Sequence, residues 1–302
     1  MAGWLSKLFG GGPGEGRTVQ ELAQRLGMPH EDLRAVPVNY RTFTIPKRSG
    51  GARTIHAPDD ALKALQRTIL RRLLARLTCH RHATGFERGH SIVTNALPHV
   101  GQQVVLRLDL RDYFTRTSEK RVRDYFNRIG WNRDASRLLA DLTTHKGGLP
   151  QGAPTSPRLS NLVNCRMDAR LAGLARKMSA AYSRYADDLT FSYSERAAGG
   201  ASAPASRQRT TAELIRNVKA IVESYGYSLH NKRKLTIRRA HQQQRVTGLA
   251  VNRRVALPRR TRRWLRAVEH HLATGQPATL TPMQIEDWRS LQKMVETKAD
   301  RV

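Results

Sequence analysis

Three aspartates carry the strongest chemical signal in the sequence. Asp187 and Asp188 are adjacent, between the strand-like runs 182–186 and 189–194, and Asp109 closes the apolar run 104–108. Alternation on both sides of the pair reads as two strands meeting at a tight turn. Adjacent carboxylates repel, and a third strand-end carboxylate brought beside them raises that cost unless a cation neutralises the set. Divalent ions such as Mg2+ take hard oxygen ligands of this kind. A pair of such ions stabilises the attacking and leaving oxygens of an in-line phosphoryl transfer. Asp-Asp is also a favoured turn pair in its own right, so the surroundings must decide.

The surroundings are specific. Phe114 lies five residues after Asp109, and Tyr185-Ala186 immediately precede the Asp pair. Between them falls Leu149-Pro150-Gln151-Gly152, continued by Ala153-Pro154-Thr155-Ser156-Pro157. These three motifs, in this order, resemble those of reverse transcriptases, the proline-rich turn being that of the bacterial branch. Asn95-Ala96-Leu97-Pro98-His99 matches an NAxxH pattern and Val246-Thr247-Gly248 a VTG pattern. Both resemble retron reverse transcriptases more than group II intron or diversity-generating relatives. The resemblance runs from Tyr40 to Trp288, with one departure: Tyr113-Phe114-Thr115-Arg116-Thr117 stands where Phe-Phe-Pro-Ser is usual.

The resemblance implies a mixed α+β right-hand polymerase fold with fingers, a palm built on an antiparallel sheet, and a helical thumb. It implies catalysis by Asp109, Asp187 and Asp188, which with Leu110 would hold two Mg2+ ions. Lys47, Arg53, Asp112, Tyr113, Phe114, Gln151 and Lys234 would contact a deoxynucleoside triphosphate. Phe114 would exclude a 2′-hydroxyl by volume, and a core aromatic is the alternative. Lys47 and Arg53 flank the Gly50-Gly51 turn and suit phosphate, Arg through its planar fork. Lys234 would serve near the leaving pyrophosphate, with Lys232 and Arg233 as competitors. Asn95 and His99 would lie at RNA or DNA, and a satisfied structural histidine is the other reading of His99. The implied partners are a cognate structured non-coding RNA, its branched single-stranded DNA product, and an effector or toxin protein in antiviral defence. A diversity-generating or abortive-infection enzyme and a non-catalytic RNA-binding scaffold remain as alternatives.

Composition agrees with a polyanionic partner. Fifty-three Lys and Arg against 24 Asp and Glu give +29 and a pI near 11.4. Such imbalance costs self-repulsion that nucleic acid relieves through counterion release; a solvated basic surface or anionic lipid is the alternative. From Arg207 to Arg266 there are 17 Lys and Arg against two acids. Arg259, Arg262, Arg263 and Arg266 recur at helical spacing, with Trp264, Leu265, Val268 and Leu272 mainly opposite. That is a helix with an apolar back and a cationic front, suited to RNA or DNA backbone. Two cysteines are too few for a disulfide framework, and no apolar run is long enough to span a membrane, so a bacterial cytoplasmic location is expected.

The positioning elements follow from periodicity. Two short helices are expected over 18–35 with Leu22, Leu26 and Leu33 inside; a DNA-reading helix-turn-helix is disfavoured by the lack of a basic recognition face. A hairpin is expected around Ser49-Gly50-Gly51, and a helix over 59–78 with Leu62, Leu65, Ile69, Leu70, Leu73 and Leu77 inside. A strand is expected over 104–114. A helix capped by Thr155 or Ser156 should run to Lys177 and another should cover 210–224. Strands are expected in 234–239 and 246–252, and helices from Arg259 broken near Gly275–Pro277. The expected divisions are a tail to residue 16, fingers over 17–103 and 118–180, palm over 104–117 and 181–251 with a linker at 196–209, and thumb over 252–302. No added nuclease domain is expected within these 302 residues.

Overall fold

Apolar periodicity of 3.6 residues builds the first unit of the chain. A computed structural model describes residues 16–46, 50–194, 204–230 and 235–299. Lys47, Lys234, the tail to residue 15 and the linker over 195–203 lie outside the described residues. The chain divides into two units, one comprising residues up to 80 with 112–166 and the other 81–111 with 167 onward.

In the first unit, α1 (Val19–Leu26) is capped by Thr18, whose hydroxyl accepts from Glu21 N–H at 3.3 Å. Left-handed Gly27 ends it, and α2 (His30–Ala35) follows. Leu22, Leu26 and Leu33 are buried as expected. Strands β1 (Tyr40–Pro46) and β2 (Ala52–Pro58) pair antiparallel from Tyr40↔Pro58 to Pro46↔Ala52. Helix α3 (Asp60–Ile69) starts at its Asp59 cap. It then widens into a π-turn over Leu70–Leu74, where Ala75 N–H donates to Leu70 O. The extra residue per turn shifts the buried stripe by one position. Leu74 is therefore fully buried, while Leu70 and Leu73, which uninterrupted α-periodicity puts inside, are only partly so.

Helices α5 (Tyr113–Arg116), α6 (Glu119–Arg128), α7 (Arg133–Thr143) and α8 (Ser156–Val163) complete this unit's core. The single helix expected to Lys177 is interrupted at Asn164, and α9 (Cys165–Lys177) follows. Asn164 donates to Ser160 O and Tyr113 OH and accepts from Arg121, so its side chain competes with the helix ladder. Thr155 occupies the cap position of α8 without a side-chain cap bond.

The second unit is built on a four-stranded antiparallel sheet in the order β4 (Ala180–Tyr185), β5 (Asp188–Tyr193), β3 (Val104–Asp109), β6 (Thr236–Arg239). Strand β3 stops at Asp109 rather than continuing to residue 114, because Asp112 turns left-handed (φ 49°) and starts α5. The 246–252 segment is not one strand. Thr247 and Gly248, both at positive φ, make a two-residue turn between β7 (Arg245–Val246) and β8 (Leu249–Ala250). Helix α10 (Pro204–Glu223) begins within the expected linker, with Pro in its first turn. Helix α4 (Ile92–Ala96) and a 3-10 turn (Leu97–His99) pack with α11 (Arg259–Ala273) and α12 (Pro282–Ala299) around Val93, Val246, Leu249, Leu265 and Ile285.

Strand alternation gives the sheet two unlike faces. Leu106, Leu108, Leu189 and Phe191 point to one and are fully or almost fully buried. Arg107, Asp109, Asp188, Thr190, Ser192 and Ser183 belong to the other, by their register.

Candidate active site

Cross-strand register brings the carboxylates together. Asp109 is the direct partner of Asp188 across β3–β5, and Asp188 in turn pairs with Tyr185 across β4–β5. Directly opposed residues share a face with Cβ atoms about 5 Å apart. Asp187 sits in the turn between β4 and β5, and its carbonyl accepts from Leu110 N–H at 2.9 Å. Leu110 is thus the backbone link between the strand end and the turn, its side chain buried.

Basic groups flank both opposed carboxylates. Arg107, two residues before Asp109 on the same face, bonds Asp188 Oδ2 through Nη2 at 2.5 Å. On the other edge of β3, residues 228–230 continue the pairing: Ser228 O accepts from Arg111 N–H and His230 N–H donates to Asp109 O. This sets His230 Nε2 at 3.3 Å from Asp109 Oδ1. Among the described residues no three His, Cys, Asp or Glu side chains are gathered closely enough to hold a metal ion. The expected convergence of three carboxylates is therefore one of backbone positions, with Asp188 and Asp109 turned toward Arg107 and His230. By type, two opposed carboxylates with a third in the adjacent turn remain the donor set a hard divalent ion takes.

The opposite face holds the turn from behind. Arg184 and Asp168 are completely buried and joined by two bonds, Nε to Oδ1 at 2.7 Å and Nη2 to Oδ2 at 2.6 Å. Tyr182 OH donates to the same Asp168 Oδ1 at 2.8 Å. Arg184 Nη1 reaches Ala186 O at 3.0 Å, and Ala186 is left-handed at φ 56°. A non-glycine residue there costs about 1–3 kcal/mol, so the turn persists because its surroundings over-determine it. Gly85 is one of those surroundings: a Cβ on it would stand 2.7 Å from Ala186 N. None of Arg107, Asp168, Arg184, His230 and Gly85 stands out by motif. The signal available for Arg184 and Asp168 was a charge at an inward-facing position of its strand or helix, with opposite signs.

Asn95 and His99, expected at nucleic acid, are 1% and 0% exposed. Asn95 Oδ1 accepts from Thr84 at 2.7 Å, and His99 bonds Ser192 and Ser183 at 2.7 and 2.8 Å. Both side chains are thus buried and internally bonded, and His99 matches the alternative of a satisfied structural histidine. Of the residues expected at RNA or DNA backbone, Arg259, Arg262, Arg263 and Arg266 are all exposed on α11, while Leu265 and Val268 are buried beneath.

In the first unit, Phe114 is half-buried against the core. Tyr113 is 3% exposed with its OH donating to Ser160 O, so its side chain faces the core. Asp112 is exposed at the left-handed start of α5. Leu149 N–H donates to Phe114 O and His56 N–H to Gln151 O, so the proline-rich turn ties Phe114 to β2, which carries exposed Arg53. Gly152 fits there because a Cβ would meet Ile55 Cγ2 at 2.8 Å and His56 O at 2.9 Å.

Comparison with known proteins matches residues 45–252 to the family model described as reverse transcriptase (RNA-dependent DNA polymerase). The chain is 39% identical over 287 residues to the retron Mx65 reverse transcriptase of Myxococcus xanthus, covering 86% of this chain and 64% of that protein. It is 37% identical to the retron Mx162 reverse transcriptase of the same organism, covering 86% and 60%. Against the retron Ec86 reverse transcriptase of Escherichia coli it is 33% identical, covering 87% and 78%. The chain therefore spans about two thirds or less of the length of the two Myxococcus relatives. Apo telomerase from Candida tropicalis shares the fold at TM-score 0.50 and 13% identity, over 74% of this chain and 56% of that one. The unlike-faced antiparallel sheet, its opposed aspartates and these matches have one reading: the chain has the right-hand polymerase fold and belongs to the reverse transcriptase family, in its retron branch.

Proposed function

We propose that the chain is an RNA-directed DNA polymerase that copies part of a cognate structured non-coding RNA into branched single-stranded DNA. The observation that carries the reading is Asp109 opposed to Asp188 in an antiparallel sheet of a reverse transcriptase family member. Asp109, Asp187 and Asp188, with the Leu110 carbonyl, would hold two Mg2+ ions, which when bound supply charge stabilisation at the attacking and leaving oxygens. The chain's own residues do the rest. Arg107 and His230 orient the carboxylates, and the Arg184–Asp168 pair holds the turn that bears two of them. Arg53, Asp112 and Gln151, with Lys47 and Lys234, would bind the deoxynucleoside triphosphate, and Phe114 would crowd a ribose 2′-hydroxyl. Exposed Arg259, Arg262, Arg263 and Arg266 would track an RNA backbone, contacts that position rather than specify.

The assignment of fingers to 17–103 and 118–180, palm to 104–117 and 181–251, and thumb to 252–302 belongs to the same proposal, as do a cytoplasmic site of action, an effector partner and a part in antiviral defence. No helix among the described residues is long and apolar enough to cross a membrane. The test is incorporation of deoxynucleotides by purified protein on its structured RNA with Mg2+. Asp187→Asn with Asp188→Asn should eliminate synthesis while RNA binding persists; synthesis by the double variant refutes the assignment. Synthesis that continues on unrelated primed templates after the structured RNA is removed would favour a diversity-generating or abortive-infection enzyme.

A further inference from the structure

The NAxxH and VTG motifs lie about 150 residues apart in the chain, yet helix α4 links them. Thr247 Oγ1 donates to Ile92 O at 2.8 Å, anchoring the first residue of α4 to the β7–β8 turn. Three residues along that helix, Asn95 accepts from Thr84 through its side chain and from Ser183 Oγ through its carbonyl at 3.2 Å. His99, at the end of the following 3-10 turn, then spans two strands, bonding Ser183 on β4 and Ser192 on β5.

One tautomer satisfies all three bonds together: with Ser183 donating to Asn95 O, His99 Nε2–H donates to Ser183 and His99 Nδ1 accepts from Ser192 O–H. Ser183 pairs with Thr190 and Ser192 with Ala181, so the serines are diagonal neighbours on the face of Asp109 and Asp188. Diagonal neighbours are about 7–8 Å apart, a gap that an imidazole with a hydrogen bond at each end can bridge. A one-residue slip of β4 against β5 would turn a serine to the other face and break the bridge. The bridge therefore holds one register of the hairpin whose turn is Ala186-Asp187.

We propose that His99 is a positioning residue: with Asn95 and Thr247 behind it, it clamps β4 to β5 and so fixes the placement of the Asp187-Asp188 turn opposite Asp109. This rests on the polymerase reading for its consequence in catalysis, but not for the clamp itself. Apolar His99→Leu keeps the volume and removes both bonds; His99→Gln keeps one. Ser183→Ala and Ser192→Ala each remove one bond with little risk to folding.

The experiment measures amide hydrogen exchange across 183–192, RNA affinity, and kcat and KM for nucleotide, all well below each variant's melting temperature. The expected result is exchange at least tenfold faster in the 186–189 turn, kcat lowered at least tenfold in His99→Leu with partial recovery in His99→Gln, and RNA affinity and KM unchanged. If His99→Leu does not fold, the same ordering at smaller amplitude is expected of the serine variants. RNA affinity that falls with unchanged exchange would overturn the proposal in favour of an RNA contact. A lower melting temperature with unchanged turn exchange and kcat would overturn it in favour of a general packing role. Wild-type protein that makes no DNA would defeat the polymerase reading, while the exchange measurement still decides the clamp.

Discussion

Removing Asp168 should cost more stability than any other single side-chain truncation behind the Asp187 turn. Asp168→Ala leaves the Arg184 guanidinium, fully buried, without its two carboxylate bonds, and leaves Tyr182 OH without its acceptor. Breaking a buried ion pair by deleting one partner costs about 3–5 kcal/mol, and the lost Tyr182 hydrogen bond adds about 0.5–1.5 kcal/mol. Against a domain stability of about 5–15 kcal/mol, the variant is expected to be largely unfolded or marginal at 37 °C. Replacing both partners by apolar residues, Asp168→Leu with Arg184→Met, removes the uncompensated charge. That double variant should recover most of the loss, because a well-packed apolar pair is often as stable as a buried ion pair. It cannot restore the bond from Arg184 Nη1 to Ala186 O. The double variant should then fold yet synthesise DNA poorly, separating stability from turn geometry. Urea unfolding of wild type, both singles and the double gives the coupling energy, and primer extension gives the activity. A loss below about 1 kcal/mol for Asp168→Ala, the size of an exposed pair, would refute the reasoning. So would full activity in a folded double variant.

Burial lowers the His99 pKa from 6.5 to about 3, with His82 adding a smaller push in the same direction. The folded value lies below the unfolded one, so this stability is complete above pH 6.5 and is lost as pH falls from there toward 3. From pH 7.5 to 5 the loss is about 2 kcal/mol at 1.36 kcal/mol per unit, and urea unfolding of His99→Gln should lack that component; an identical pH slope would count against it. Phe114→Ala is expected to lower discrimination between deoxy- and ribonucleotides by about 10- to 200-fold, the range for a steric pocket difference, read as the ratio of kcat/KM values; unchanged selectivity removes the gate. Each of Arg259, Arg262, Arg263 and Arg266 changed to Gln should reduce the slope of log affinity against log salt by about 0.9 for duplex RNA, taking the duplex value. A flat salt response in wild type would sink phosphate-dominated binding by α11.

Much of this fold is legible in the sequence because it follows from period and turn chemistry. The leucines of 22–33, the Gly50-Gly51 hairpin and the Asp187 turn needed only local rules, and Arg259–Leu272 declared its two faces by spacing. The errors have local causes of another kind. The π-turn at Leu70–Leu74 moves the buried stripe by one residue, and no propensity rule marks where a helix will widen. Asn164 breaks a helix through side-chain bonds to partners far off in sequence, Tyr113 and Arg121. At the site, motif resemblance picked out Asp109 and the Asp pair, and it implied contacts for Tyr113, Asn95 and His99, whose side chains are buried, His99 matching the alternative of a structural histidine. A motif reports that a residue matters to a family; it does not tell solvent-facing from inward-facing. Arg107 and His230 were missed because each acts only through strand pairing, which a single sequence does not display.

The two faces of the sheet explain why so many of these residues are polar. A sheet backed by Leu106, Leu108, Leu189 and Phe191 is held on that side mainly by apolar burial, which is strong but non-directional, with the buried Arg184–Asp168 pair adding directional bonds beneath the turn. The other side carries Asp109 and Asp188, and apolar packing against charged carboxylates would desolvate them at a cost of several kcal/mol per ion. Val105 on that face packs into an apolar cluster farther along the strand, and beside the carboxylates directional bonds do the fixing. Arg107 and His230 meet the carboxylates, Ser183, Ser192 and His99 clamp the strands farther along, and Asn95 joins the clamp to α4. Hydrogen bonds contribute little net stability each but are costly to leave unmade, so the network resists register error more than it adds to global stability. The face that bears the carboxylates is in this way held in place largely by hydrogen-bond geometry, while the opposite face supplies most of the cohesion.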